Sequence, residues 1–374
     1  MSDCFPSAAV ASLSLSVLQM DASVTDCGKA PCRVPKTPTE KKRAERKKRR
    51  DEIASGSPRL ALTGPGPAHV LCAPPDSPEY LSFINSFCVA WQHKKDASAF
   101  VDIGAPEVRA LSGHILNRSG SAQAAVVARE LQVAMIVCRS DEHKKLFVDL
   151  GCVQAVLAAL GRFPSCPEVL IQGFKALINM GKGFEAKTLI GSHGGLGLIA
   201  FAMHEWKDSD ELQEIGIWVT GSIVVACPHN KILAGEAGCV DATVESMRNF
   251  PGNIGLQQVG LWALGSLSAN HSENAVRIGK RGGIGLVINA MKAFSDIPSL
   301  QEMGCWALAC LAACGGKVCE KIIEKDGPAT VMAAIGKQKD NANLQLAAFT
   351  ALAHLGSQAA NQKLLTMPAF VFFQ

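Results

Sequence analysis

Three tryptophans stand at one spacing. Trp218, Trp262 and Trp306 are each 44 residues apart, and polar side chains repeat with them: Glu214, Gln258 and Glu302 four residues before, Ser222, Ser266 and Cys310 four residues after. Lys175 with Asn179, and Thr350 with His354, hold the matching places in other copies. Aromatic platforms flanked by polar groups, recurring at a fixed interval, suit an extended peptide segment, in which a few anchors carry most of the affinity. The competing reading is that each indole merely covers the adjoining helix.

A second chemical signal is a basic run. Lys41, Lys42, Arg43, Arg46, Lys47, Lys48, Arg49 and Arg50 put eight cations against one acid in ten residues. Such a run reads as a nuclear localisation signal, which an importin would bind by charge complementarity. As a plain charge run it would only be solvated, or loosely attracted to RNA or anionic lipid. Thr37-Pro38, Ser57-Pro58 and Ser77-Pro78 are dipeptides a kinase can modify, and they are common in tails.

Catalytic patterns are weak. GSHGGLG and GKRGGIG are glycine-rich, yet they follow no strand-like run and lack the Gly-Lys-Ser/Thr ending of a phosphate loop. Cys305, Cys310, Cys314 and Cys319 contain no Cys-x-x-Cys pair, so core thiols are expected rather than zinc. The nine histidines are dispersed. We therefore expect no enzyme, no metal, no cofactor and no small-molecule substrate.

Composition sets the compartment. Of 374 residues, 48% are hydrophobic and 19% charged, enough for a large core. The net charge of +4 resides in the basic run, so the remainder shows no phosphate-gripping excess and no specific nucleic-acid partner is expected. The fourteen cysteines are scattered through apolar segments without paired spacing, as reduced thiols are in an intracellular protein of nucleus or cytoplasm. The opening stretch lacks the basic flank of a signal peptide, and Met1 is not followed by glycine. The longest apolar run, Ile215 to Cys227, has about 13 residues, short of a membrane span.

These side chains need elements to hold them, and the elements repeat. Gly151, Gly194, Gly238, Gly282 and Gly327 each precede a small-x-x-apolar run, at intervals of 43, 44, 44 and 45. Gly216, Gly260, Gly304 and Ala348 give a second anchor, each 44 apart, inside LQEIGIWVTGSI, LQQVGLWALGSL, LQEMGCWALACL and LQLAAFTALAHL. A fainter unit around Gly104 brings the count to six, from roughly residue 93 to 356. Each copy predicts a short helix, a second helix and a longer third helix, with apolar or small residues on one face at Leu300, Met303, Gly304, Ala307, Leu308 and Leu311. The first glycine set is expected to turn the chain between the first two helices. The second set is expected where third helices cross their neighbours closely. At about 100° per residue, Trp306 lies roughly 130° from the apolar stripe and is expected outside the main core. One copy cannot bury its apolar face alone, so copies must stack into a solenoid.

Period, helix count and motifs such as GGIGLVINAM followed by LQEMGCWALACLA resemble the armadillo repeat over about 260 residues. The resemblance implies an all-α, right-handed superhelix whose third helices line a concave groove, the usual partner site. It places Lys175, Asn179, Glu214, Trp218, Ser222, Gln258, Trp262, Ser266, Glu302 and Trp306 along that groove, and implies a scaffold or adaptor that binds proteins. Importin-alpha is similar in its Trp-x-x-x-Asn array and basic tail, but Ser222, Ser266 and Cys310 stand here at the Asn positions. A transport receptor of that type, or a regulatory segment of a larger kinase-like protein, remains the alternative.

Three regions are expected: a disordered Ser/Pro-rich tail with the basic run over 1–76, the repeat array over 77–356, and a partial or truncated cap over 357–374.

Overall fold

The computed structural model describes residues 70–94, 103–120, 123–138 and 141–357, the side chains of 90–94 and 141 excepted. The basic run and nearly all of the expected cap lie outside the described residues. Of the expected tail, 70–76 are described, and Leu71 among them is fully buried.

The described residues form eighteen α-helices and no strand. Helix α1 spans Pro78–Lys94, α2 Ala105–Asn117 and α3 Ala124–Val137. Five full three-helix copies follow: α4 Asp141–Asp149, α5 Cys152–Arg162 and α6 Pro167–Met180; then α7 Phe184–Ser192, α8 Gly195–Glu205 and α9 Asp210–Val224. The third consists of α10 Pro228–Glu236, α11 Cys239–Asn249 and α12 Ile254–Ser268; the fourth of α13 Ser272–Lys280, α14 Gly283–Ala293 and α15 Pro298–Ala312. The last is α16 Gly316–Glu324, α17 Gly327–Lys337 and α18 Ala342–Gly356.

The copies stack in layers. Third helices α3, α6, α9, α12, α15 and α18 pack one on the next, and second helices α2, α5, α8, α11, α14 and α17 do the same. Helix α1 packs on α3, in the place a preceding third helix would take. The six copies read from the sequence are therefore present, with α2 and α3 as the faint first one.

Local chemistry sets the helix ends. Ser209, Asn253 and Asn341 cap α9, α12 and α18, their side-chain oxygens accepting from Leu212, Leu256 and Leu344 N–H. Before the second helix of each full copy one residue turns left-handed: Gly151 and Gly194 at φ 75°, Gly238 and Gly282 at 85°. In the last copy the expectation was off by one. Asp326, at φ 63°, makes the turn, so the interval is again 44. Gly327 follows it because a Cβ there would lie 2.4 Å from Ile322 Cγ2.

The second glycine set also has a sharper reason than close helix crossing. A Cβ on Gly216, Gly260 or Gly304 would come within 2.6, 2.6 and 2.4 Å of Cγ of Met203, Met247 and Met291. Each third helix thus receives a methionine from the second helix of its own copy, and glycine leaves room for it.

A glutamine ladder joins the same two layers. Gln213 Nε2 donates to Met203 O at 2.7 Å and Trp206 O at 2.9 Å; Gln257 to Met247 O at 2.7 Å and Phe250 O at 3.0 Å; Gln301 to Met291 O at 2.8 Å and Phe294 O at 3.1 Å. Gln345 repeats this with Ile335 O and Gln338 O. Each amide satisfies carbonyls that the end of a second helix leaves without an intrahelical donor. First helices are joined by asparagines: Asn230 Nδ2 donates to Lys187 O at 2.8 Å and Ile223 O at 3.2 Å, and Asn274 to Lys231 O at 2.9 Å and Leu267 O at 3.1 Å.

The first described turn is fastened by a buried ion network. Arg118 Nε and Tyr80 OH both donate to Glu130 Oε1 at 2.8 Å, while Arg118 Nη1 reaches Asp76 at 2.9 Å and Nη2 donates to Pro75 O.

Candidate partner-binding face

The layer of third helices is the face on which the repeated polar and aromatic residues converge. Much of its polar chemistry joins one third helix to the next. Asn179 Nδ2 donates to Met135 O of α3 at 2.8 Å, and Lys175 Nζ meets Glu211 of α9 at 3.2 Å. Ser299 Oγ of α15 donates to Gln258 at 3.3 Å, and Asn341 Nδ2, capping α18, approaches Glu302 at 3.5 Å.

The tryptophans do not share one environment. Trp262 is 3% exposed and Trp306 7%, contrary to the expectation that these indoles stand outside the core. A Cβ on Gly221 would lie 2.5 Å from Trp262 Cζ3, and one on Gly265 2.4 Å from Trp306 Cζ3. Each ring therefore lies on a glycine of the preceding third helix. One apolar stripe per helix is too narrow a count, because a third helix in the stack is flanked on both sides by other third helices. Trp218 differs, being only partly buried.

The flanking residues divide similarly. Ser222 and Ser266 are buried, their hydroxyls without a hydrogen-bond partner among the described residues, as is the Trp262 indole N–H. Glu214 and Glu302 are half-buried. Burial, then the nearby carboxylates of Asp210 and Glu211, holds the Glu214 carboxyl above its usual range, with Lys175 opposing. Burial raises Glu302 too, opposed by the Asn341 hydrogen bond.

The eleven described cysteines are free thiols, and burial pushes Cys239, Cys305 and Cys310 up to about 12. Thiolate chemistry is thereby disfavoured at those positions. Cys152, Cys239 and Cys305 are buried as small apolar residues, whereas Cys310 is only partly so. No group of three metal-ligating side chains occurs among the described residues, and no described helix is long and apolar enough to cross a membrane.

Sequence reasoning missed the glutamine ladder and the glycine seats under the indoles. Both were signalled by period: Leu-Gln opens LQEIG, LQQVG, LQEMG and LQLAA, and glycine follows Trp218 and Trp262 by three residues.

No family model matches the sequence, and no curated protein matches it. Solved structures resemble its fold. Two engineered proteins of the Northeast Structural Genomics Consortium are 19% and 18% identical, with TM-scores of 0.58 and 0.57; each comparison covers 67% of this chain and 97% or 98% of the engineered one. A designed armadillo repeat protein in complex with a (KR)4 peptide is 16% identical with a TM-score of 0.54, covering 67% of this chain and 99% of that one. Such identities speak for fold alone. The fold is an armadillo-type array of stacked three-helix copies.

Proposed function

We propose that this chain is a non-catalytic scaffold or adaptor that receives a segment of a partner protein along the face of its third helices, between the copies carrying Trp218 and Trp306. The observation that carries the reading is Trp218: an indole left partly open in a continuous helical layer, with a half-buried carboxylate one turn away. Open aromatic anchors beside polar groups are the side chains that dominate protein interfaces. Trp262 and Trp306 then serve the face through their rims and by holding adjacent third helices together, with Gln258 and Glu302 at its margin. The designed protein of like fold holds a peptide, which agrees with such a use of this architecture. The basic run Lys41–Arg50 would address the chain to an importin, and so to the nucleus as well as the cytoplasm.

The test is selection of short segments from a displayed peptide library on the full chain, followed by affinity measurement against Trp218→Ala. Loss of at least about tenfold, or ~1.4 kcal/mol, is expected with unchanged far-UV circular dichroism. Selected segments that bind both proteins alike would reject this face.

A further inference from the structure

Of the three serine- or threonine-proline dipeptides, Thr37-Pro38 and Ser57-Pro58 lie outside the described residues, and Ser77-Pro78 stands at the start of α1. Ser77 caps that helix. Its Oγ accepts from Tyr80 N–H at 3.2 Å, and its carbonyl from Leu81 N–H at 3.0 Å. Ser77 is partly open, and Asp76, Pro78 and Glu79 around it are exposed.

The two residues before Ser77 are held by one arginine. Arg118, just past the end of α2, reaches Asp76 Oδ1 through Nη1 at 2.9 Å and Pro75 O through Nη2. Its Nε stays on Glu130 of α3 at 2.8 Å, where Tyr80 of α1 donates as well. Arg162 of α5 stands behind, donating to Arg118 O and Ile115 O. The Arg118 side chain is 3% exposed, whereas that of Asp76 is 72% exposed. An exposed carboxylate gains little from such a cation, because water screens it and its side chain must be ordered.

We propose that Ser77 is a phosphorylation site for a proline-directed kinase, and that its phosphate fastens α1 to the end of α2 through Arg118. In the transfer Ser77 Oγ bonds to the γ-phosphorus of ATP. The bond from that phosphorus to the bridging oxygen breaks, and the hydroxyl proton leaves with ADP as the other product. A kinase takes its substrate extended, so the first turn of α1 must open. Helix ends open readily, and Pro78 has no N–H to lose there. Once formed, the phosphate dianion lies at the amide end of α1 and beside the Nη groups of Arg118, whose fork binds phosphate oxygens in pairs. Asp76 and Glu79 oppose it. Both are exposed and free to turn away into water that screens them, whereas the attraction to buried Arg118 is screened less. Attraction prevails. Because α1 covers α3 in the place of a preceding third helix, the modification sets how firmly that edge of the array is closed. This inference is independent of the binding face proposed above.

The full chain carrying Thr37→Ala and Ser57→Ala keeps Ser77-Pro78 as its one remaining dipeptide of this kind. After incubation with a proline-directed kinase and ATP, mass spectrometry is expected to find a phosphate on Ser77. Amide hydrogen exchange across 78–94 should slow by about tenfold relative to the unmodified chain. Phosphorus NMR should place the second ionisation of the phosphate below its ordinary value of about 6, with that value restored in concentrated urea. Arg118→Lys keeps a charge beside Glu130 but loses the fork, and the slowing should fall below about threefold. Equal slowing in that variant would assign the effect to the helix end alone and overturn the arginine contact. No phosphate on Ser77 of the folded chain, faster exchange across α1, or an ordinary second ionisation in the folded chain would each overturn the proposal.

Discussion

Trp262 rests on Gly221, an apposition so close that a methyl group on that glycine would stand 2.5 Å from the ring. The contact joins α9 to α12, and Trp306 on Gly265 repeats it between α12 and α15. Two terms compete when such a glycine becomes alanine. Helix propensity favours alanine by about 1 kcal/mol, whereas overpacking a tight core costs about 1–3 kcal/mol. Here the obstruction is a rigid ring held on both sides, so overpacking prevails.

Gly265→Ala should therefore lower thermal stability. Gly285→Ala, in α14 where nothing lies within 4 Å of the added carbon, should raise it by up to about 1 kcal/mol. The paired melts check the seat. Stabilisation by both substitutions would mean that the indole moves aside freely.

The glutamine ladder predicts a larger effect. Gln257→Leu keeps the approximate volume and removes the donor to Met247 O and Phe250 O, at a residue that is almost fully buried. Phe250 O keeps the Asn253 N–H, so one carbonyl, Met247 O, loses its donor, and a loss of about 1–3 kcal/mol in denaturant unfolding is expected. An unchanged midpoint would show that water replaces the amide.

Glu214 should make stability depend on pH. Its folded-state carboxyl is held above the ordinary value by burial and by Asp210 and Glu211. The unfolded chain therefore releases this proton first, and ionisation favours unfolding as pH rises from the unfolded value, about 4.3, through the raised folded one. Glu214→Gln, which cannot ionise, should raise Tm at neutral pH and give no gain below about pH 4. An equal gain at both would trace the effect to packing instead of charge.

Some of this was legible before any coordinates. Gly151, Gly194, Gly238 and Gly282 marked the turns because left-handed backbone is a property of one residue and its neighbours. Glycine by itself is an incomplete signal for such a turn: in the last copy Asp326, ahead of Gly327, adopts the same conformation. The polar row along the third helices was also visible, but not its employment: Asn179, Lys175 and Gln258 repeat on one flank whether they face a ligand or the next helix.

What the order of residues determined by itself is the period, the three helices of each copy, their capped ends and the need to stack, because all of these follow from local propensity and from apolar faces too large for one copy to hide. What only the tertiary structure decided is which repeated side chains remain open. That depends on pairs such as Trp262 with Gly221 and Trp306 with Gly265, about one copy apart in sequence, whose meeting is set by how far each copy is turned upon the last. A ladder of three identical residues thus becomes two buried rings and one partly open ring, a division that no single copy contains.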